Sequence, residues 1–172
     1  MNKKILRAAV LASAMLALGA PAISADENKA EAPSEMIIYD NALGPGWENW
    51  SWATTELSIE VPGSPRKPIR VESAPWQALY LHHAPFKGAD YKRITFLIQG
   101  TVPEAEVRLF ALVDGKVVGE GRPVKFKNTG WTKVEVPLVT LGIEDQLIDG
   151  FWLQNGETEL PKYYVTDIKL FQ

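Results

Sequence analysis

The sequence predicts an all-β fold, a sandwich or a barrel, that depends on its apolar core. Short runs rich in Val, Ile, Phe, Tyr and Trp are broken at fairly even spacing by Gly, Pro, Asn and Asp, which is the pattern of such folds. No window longer than one turn shows the period of a helix. The chain contains no cysteine, so disulfides cannot replace the burial of apolar surface.

The beginning of the chain is typical of a secretory signal peptide. Basic residues occur within positions 2–7, an apolar stretch covers 8–18, and small residues are frequent over 19–25. This order predicts a signal peptide over residues 1–25, because the apolar stretch is too short to span a membrane. We therefore expect an exported protein, periplasmic or extracellular, with no membrane insertion.

The remainder of the chain predicts one acidic domain. Residues 26–35 are polar and charged, which indicates a disordered lead. The composition is uniform over residues 36–172, without a linker, which indicates one domain. The whole chain carries 18 Lys and Arg against 21 Asp and Glu. The predicted signal peptide holds only basic charges, so its removal leaves the domain more acidic. This balance argues against nucleic acid or anionic lipid as a partner, since both require a basic surface.

Candidate strands follow one another along this domain. They cover residues 36–40, 54–61, 68–73, 76–83, 92–99, 106–113, 116–120, 122–127, 131–136, 147–154 and 162–171. Between two of them, Asp114-Gly115 predicts a two-residue hairpin turn, because Gly accepts the positive φ that such turns require. Residues 138–141 are expected to form a single helical turn.

Alternation along the candidate strands separates core positions from outward ones. In the strand at 76–83, Leu79 and Leu81 belong to the core, which leaves Trp76, Tyr80 and His82 on the opposite face. The same rule predicts a core that contains Phe96, Leu109, Val134, Phe151 and Ile168.

Two further strands place aromatic or polar groups outward. Phe151 and Leu153 face the core, so Trp152 and Gln154 project away from it, and Arg108 points outward from its own strand. An aromatic patch rimmed by polar groups is typical of a binding surface. The alternative is that loops cover these aromatic side chains, which would then be structural.

A tryptophan-rich segment precedes these strands. Trp47, Trp50 and Trp52 fall within residues 46–52, on a loop or at the start of a strand. Trp50 and Trp52 would share a face if the segment is extended, and would flank the outward patch. Trp47 would then point the other way, and we expect it to close one end of the core.

Several short segments occur in a characteristic order along the domain. They are Ile38-Tyr39-Asp40, the segment 46–52, Ala78-Leu79-Tyr80-Leu81, residues 91–98, residues 131–138 with Leu141-Gly142, residues 148–154 and residues 164–170. In this order they resemble the galactose-binding-like β-jelly-roll modules, chiefly the carbohydrate-binding modules attached to bacterial glycoside hydrolases. The resemblance covers residues 36–171 and implies a two-sheet antiparallel β-sandwich.

The resemblance also implies a ligand and the residues that bind it. Members of this family bind polysaccharides or oligosaccharides by stacking sugar rings on aromatic side chains. Carried onto the outward positions, that role would fall to Trp76, Tyr80, His82, Trp152 and Gln154, with Arg108 at the periphery and Trp50 and Trp52 beside them.

Many members of the family hold a structural calcium ion, for which Asp40 and Asp167 are the candidate ligands here. The family's closing pattern has two consecutive acidic residues, whereas this chain has Thr166-Asp167. One hard oxygen ligand is therefore missing. The alternative is that both aspartates are ordinary strand-end carboxylates.

Catalytic motifs are not recognisable in the sequence. Glycoside hydrolysis requires two carboxylates that flank one bond, and the candidates Glu56, Glu60, Glu72 and Glu135 are distributed over three candidate strands without a common motif. We therefore expect a binding module rather than an enzyme. A competing hypothesis is an envelope assembly factor that uses the same jelly roll to bind a protein partner.

Overall fold

The computed structural model describes residues 34–172 of the protein. The predicted signal peptide, residues 1–25, and most of the predicted lead lie outside the described residues. Glu35 was predicted to belong to that lead. It instead begins the first strand, where it pairs with Phe171.

Strands form most of the regular structure of residues 34–172, which confirms the predicted all-β fold. They are β1 (Glu35–Asp40), β2 (Ala42–Leu43), β3 (Trp47–Asn49), β4 (Thr54–Glu56), β5 (Ile69–Ser73), β6 (Ala78–Lys87), β7 (Arg93–Gly100), β8 (Ala105–Val113), β9 (Lys116–Phe126), β10 (Thr132–Pro137), β11 (Leu147–Gln154) and β12 (Leu160–Phe171). Two 3-10 turns, Gly88–Asp90 and Leu138–Leu141, complete the described elements. The second is the helical turn that the sequence predicts. None of the helical segments within residues 34–172 is long and apolar enough to cross a membrane.

The strands form two antiparallel sheets. The seven-stranded sheet has the order β10-β7-β12-β1-β2, and β5 also pairs with β12 and carries β4. Strand β12 is long enough to pair with β5 along its first half and with β1 along its second half. The five-stranded sheet has the order β3-β6-β11-β8-β9. This arrangement confirms the predicted two-sheet β-sandwich.

The core lies between the two sheets. Phe96 and Ile168 from the seven-stranded sheet line the same small internal space as Leu109 and Phe151 from the five-stranded sheet, and all four are buried as predicted. Val134 is only partly buried, although it packs against this core, because its strand β10 is at the edge of the seven-stranded sheet.

Glycines shape the hairpin at the far edge of the five-stranded sheet. Asp114 and Gly115 have φ values of 50° and 67°, which confirms the predicted two-residue turn. The strands predicted at 116–120 and 122–127 form one continuous strand, β9. Gly121 lies within it at φ 66°, and a Cβ there would come within 2.6 Å of the Phe110 ring. A larger residue at Gly121 would therefore be excluded both by conformation and by space.

Two strand predictions differ from the structure near the first loops. The strand predicted at 54–61 ends at Glu56, because Ser58 takes a positive φ of 57° and its N–H donates to Tyr39 Oη at 2.8 Å. The strand predicted at 76–83 begins only at Ala78 and continues to Lys87. Trp76 therefore lies in the turn before β6 rather than on the strand.

The burial of Phe151 gives the first testable prediction. Because Phe151 is 4% exposed in the centre of the core, Phe151→Ala should lower the free energy of unfolding by about 3–5 kcal/mol, through lost burial and the cavity left behind. Urea denaturation followed by circular dichroism measures this change. Val139→Ala, at an exposed position, is the control and should change stability by less than about 0.5 kcal/mol. Equal effects of the two substitutions would contradict the assigned core.

Candidate functional site

The outer face of the five-stranded sheet brings most of the predicted site residues together. Strand β11 lies between β6 and β8, and Trp152 pairs with Tyr80 on one side and with Phe110 on the other. Next along β11, Gln154 pairs with Arg108. Because these residues alternate with buried leucines on the same strands, their side chains share the face directed away from the core. This arrangement confirms the orientation that alternation predicts.

Aromatic rings are in contact over much of this face. Tyr80 and Trp152 meet edge to face, with ring centroids 5.8 Å apart, and Trp52 meets Trp152 edge to face at 4.7 Å. At the other end, the Trp50 and His82 rings are stacked nearly parallel with centroids 3.6 Å apart. We call the set Trp50, Trp52, Tyr80, His82 and Trp152 the aromatic face.

The tryptophan-rich segment reaches the aromatic face because it runs along the open edge of β6. After β3, which pairs with β6, the Trp50 N–H donates to the Tyr80 carbonyl at 2.9 Å. The Tyr80 N–H in turn donates to Ser51 Oγ at 2.9 Å. Farther on, the Ala53 N–H donates to the Ala78 carbonyl at 3.1 Å. The backbone that carries Trp50 and Trp52 is therefore fixed to the sheet.

Trp47 points the other way and belongs to the core, as expected. Its side chain is buried and packs against Phe151, with the two rings 6.4 Å apart and nearly parallel. The segment thus contributes one indole to the core and two to the outer face.

Exposure within the aromatic face differs from the prediction. Trp50 is 53% and Trp52 is 41% exposed, whereas Tyr80 is only 7% exposed and Trp152 is half-buried. Tyr80 lies on the predicted face, but the edge of Trp50 and the ring of Trp152 cover it. The exposed aromatic surface therefore comes mainly from the loop tryptophans, while Tyr80 supports them from below.

Trp76 extends the exposed aromatic surface beyond the strands. It is 58% exposed and has a φ of 64°, a strained value for a residue other than Gly. Its carbonyl accepts hydrogen bonds from Trp52 Nε1 and from Gln154 Nε2, each at 3.1 Å. Its N–H donates to the Gly156 carbonyl at 2.9 Å. The predicted residues Trp52, Trp76 and Gln154 are thus joined directly.

Asn155 holds the turn that carries Trp76, and sequence reasoning did not identify it. Its side chain is buried, and its Nδ2 donates to the carbonyls of Ser73, Ala74 and Thr158 at distances of 2.7–3.2 Å. The dipeptide Asn155-Gly156 is a common turn signal. This signal does not reveal that the side-chain amide of Asn155 also donates to the loop that contains Ser73 and Ala74.

A groove of about 620 Å³ continues from Trp76 along the end of the sheet. Its lining includes Arg108, Phe110, Gln154 and Glu159. Arg108 is exposed, and its guanidinium donates to the Glu120 carbonyl at 2.9 Å. Phe110, which precedes a core position of β8, also lines this groove. The groove offers both apolar surface and hydrogen-bonding groups.

Three buried polar atoms of the aromatic face have no partner. Among residues 34–172, Tyr80 Oη, His82 Nδ1 and Trp152 Nε1 of this face form no hydrogen bond, and the same holds for Asp149 Oδ1 in β11 and for Trp47 Nε1 and Tyr163 Oη in the core. The nearest acid to His82 Nδ1 is Glu48 Oε2 at 3.7 Å, which is beyond hydrogen-bonding distance. Unpaired buried polar atoms are uncommon in folded proteins and destabilise them.

The Tyr80 hydroxyl is held in its neutral form. Burial, followed by the negative charge of Asp149, raises the pKa of Tyr80 to about 12. Tyr80 therefore remains a hydrogen-bond donor over the physiological range.

The candidate calcium ligands do not belong to a cluster of carboxylates. Asp167 Oδ2 is bound by Arg66 Nε at 3.0 Å, so a cationic side chain already neutralises this carboxylate. Within the described residues, no group of three or more His, Cys, Asp or Glu side chains is placed to hold a metal ion. Calcium binding by Asp40 and Asp167 stays a prediction, and the ion pair with Arg66 argues against Asp167 as a ligand.

Comparison with known proteins identifies neighbours by structure and not by sequence. No protein-family model matches the sequence, and no curated protein matches it. Among solved structures, a family 11 carbohydrate-binding module from Clostridium thermocellum, in complex with a β-1,3-1,4-mixed-linked tetrasaccharide, is similar to the chain with a TM-score of 0.60. The sequences are 15% identical, and the similarity covers 81% of this chain and 96% of that module.

Family 29 carbohydrate-binding modules are similar as well. A lysine-to-alanine variant of one such module, complexed with cellohexaose, is 13% identical with a TM-score of 0.55, over 79% of this chain and 89% of that one. A module from Piromyces equi is 17% identical with a TM-score of 0.55, over 79% and 88%. The protein therefore has the two-sheet β-jelly-roll fold of carbohydrate-binding modules.

Proposed function

We propose that this protein is a non-catalytic glycan-binding module. An oligosaccharide would lie across the aromatic face and continue into the groove beside Trp76. The observation that carries this proposal is the exposure of three indoles, Trp50, Trp52 and Trp76. Trp50 and Trp52 are linked through the rings of Tyr80 and Trp152, and Trp52 donates to the Trp76 carbonyl. Exposed clusters of large aromatic side chains are typical of binding surfaces.

The chemistry of these indoles suits a sugar ring. A pyranose has an apolar C–H face, and covering about 80 Å² of it would contribute on the order of 2 kcal/mol for each indole. Gln154 and Arg108, which line the groove, would bind hydroxyl groups at the end of the chain. The solved neighbours that carry glycans support the same class of ligand.

Export forms part of the proposal. The basic, apolar and small residues that follow one another over residues 1–25 support a secretory signal. We propose that the protein acts in the periplasm or outside the cell, where it would encounter polysaccharide.

Titration calorimetry with cellohexaose and with the β-1,3-1,4-mixed-linked tetrasaccharide tests the binding function. Trp52→Ala should weaken binding at least tenfold, a loss of about 1.4 kcal/mol or more, because one stacking surface disappears. Tyr164→Ala is the matched control, since Tyr164 is a half-buried aromatic residue in β12 of the seven-stranded sheet. Absence of heat with both sugars, or equal losses in the two variants, would contradict the proposal.

The strained backbone of Trp76 gives a separate prediction. Trp76→Gly and Trp76→Ala both remove the indole, so both should lose affinity to the same extent. Because Gly adopts a φ of 64° without strain and Ala does not, the Gly variant should be more stable by about 1 kcal/mol. Thermal unfolding of the two variants measures this difference. A Gly variant no more stable than the Ala variant would show that the turn relaxes when the indole is removed.

A further inference from the structure

Asp149 is a buried carboxylate beside the aromatic face. The residue is 6% exposed, and its Oδ2 accepts the Gly115 N–H at 2.7 Å, which joins the β8–β9 turn to β11. Its Oδ1 has no hydrogen-bond partner within residues 34–172. None of the ion pairs formed by these residues includes Asp149. A buried carboxylate without a paired cation is destabilising.

The structural role of Asp149 does not require its negative charge. Asn has nearly the same shape, and its carbonyl oxygen would still accept the Gly115 N–H, although more weakly than a carboxylate does. Burial of a neutral amide is also less costly than burial of a carboxylate. The hydrogen bond to the β8–β9 turn therefore does not require the negative charge of Asp149.

The position of Asp149 connects its charge to the binding surface. The pairing register shifts between Ile148 and Gly150, so Asp149 lies in a bulge, directly before the residue that pairs with His82. The Tyr80 ring crosses over Gly150, since a Cβ there would lie within 2.7 Å of Tyr80 Cε2. Asp149 also contributes to the raised pKa of Tyr80. Asp149 therefore directly precedes the residue over which the Tyr80 ring lies, and its charge acts on the Tyr80 hydroxyl.

Other charges near the aromatic face are more exposed. Glu48 lies at the β3 edge with its side chain 62% exposed, and Arg108 is exposed at the opposite end. Glu106 and Lys125 form an exposed pair at 3.9 Å. Salt screens exposed charges strongly, whereas a buried charge is screened much less. Among these charges, Asp149 is therefore the one that salt screens least.

We propose that Asp149 is a specificity-determining residue that makes the aromatic face bind neutral glycans and reject glycans carrying carboxylate or sulfate groups. The effect acts through space, because the low dielectric around a buried charge strengthens its repulsion of a nearby anion. No direct contact between Asp149 and the sugar is required. This inference rests on the proposed glycan-binding function and names the class of ligand.

Two matched probes test this selectivity. They are cellohexaose and its C6-oxidised form, in which each primary alcohol is a carboxylate. The wild-type protein should bind cellohexaose at least tenfold more tightly than the oxidised form. Asp149→Asn keeps the Gly115 hydrogen bond and removes the charge, so it should reduce this ratio at least fivefold, chiefly by improving affinity for the oxidised form. Glu135→Gln, on the seven-stranded sheet, is the control and should leave the ratio unchanged.

Two further measurements do not depend on the binding of the variant. In the wild-type protein, the preference for cellohexaose should persist in 0.5 M NaCl, because the responsible charge is buried. Loss of the preference in salt would assign it to exposed groups such as Glu48 and overturn the proposal. In the folded variant, the pKa of Tyr80, followed by the ¹³Cζ resonance, should fall toward its ordinary value. A pKa of Tyr80 that does not move would show that Asp149 exerts no field at this face.

The results separate this inference from the proposed function. If the wild-type protein binds cellohexaose but Asp149→Asn leaves the ratio unchanged, rejection of the oxidised form is steric and Asp149 is structural only. Tighter binding of the oxidised form by the wild-type protein would also overturn the inference while glycan binding stands. If neither probe binds, both proposals fail together.

Discussion

The register between β6 and β11 is the constraint on which the site depends. Phe151 pairs with Leu81, and Leu153 pairs with Leu79, so burying these four side chains fixes which face of each strand is inward. A shift of one residue in this pairing would expose these four side chains and would turn their outward neighbours, Tyr80 and Trp152, toward the core. The same register therefore places Tyr80 opposite Trp152 on the outer face. One register therefore fixes both the inward core positions and the outward aromatic positions of β6 and β11.

The loops determine how much of the aromatic face is exposed to solvent. The strands supply a mostly buried layer of Tyr80 and Trp152, and the segment fixed along the edge of β6 lays Trp50 and Trp52 over it. Trp76 joins this layer through its carbonyl, which accepts from two neighbouring side chains. Rigid strands and fixed loops together give indoles whose positions are set before a ligand arrives. Such preorganisation reduces the entropic cost of binding.

Period-two patterning made the fold and the outward residues predictable, while contacts between loops did not follow from it. Alternation places Trp152 and Tyr80 outward because their leucine and phenylalanine neighbours require the core. It cannot show that Trp50 covers Tyr80, since that contact depends on hydrogen bonds between a loop and β6. Alternation also places Trp76 on a strand, whereas Trp76 lies in a turn. That turn is held by hydrogen bonds from Asn155, which is distant in sequence and therefore invisible to a local pattern. Alternation cannot assign Asp149 to either face, because the residue lies in a bulge of β11.

We propose that the outer face of the five-stranded sheet binds a sugar chain through its exposed indoles, and nuclear magnetic resonance tests this most directly. Indole N–H resonances in a ¹H–¹⁵N correlation spectrum, assigned with single Trp→Phe variants, report on each tryptophan during a titration with cellohexaose. If the sugar binds there, Trp50, Trp52 and Trp76 should show large shifts, while Trp47, which is buried in the core, should stay unchanged. Saturable binding that moves Trp47 or Trp131 and leaves Trp50, Trp52 and Trp76 in place would contradict it.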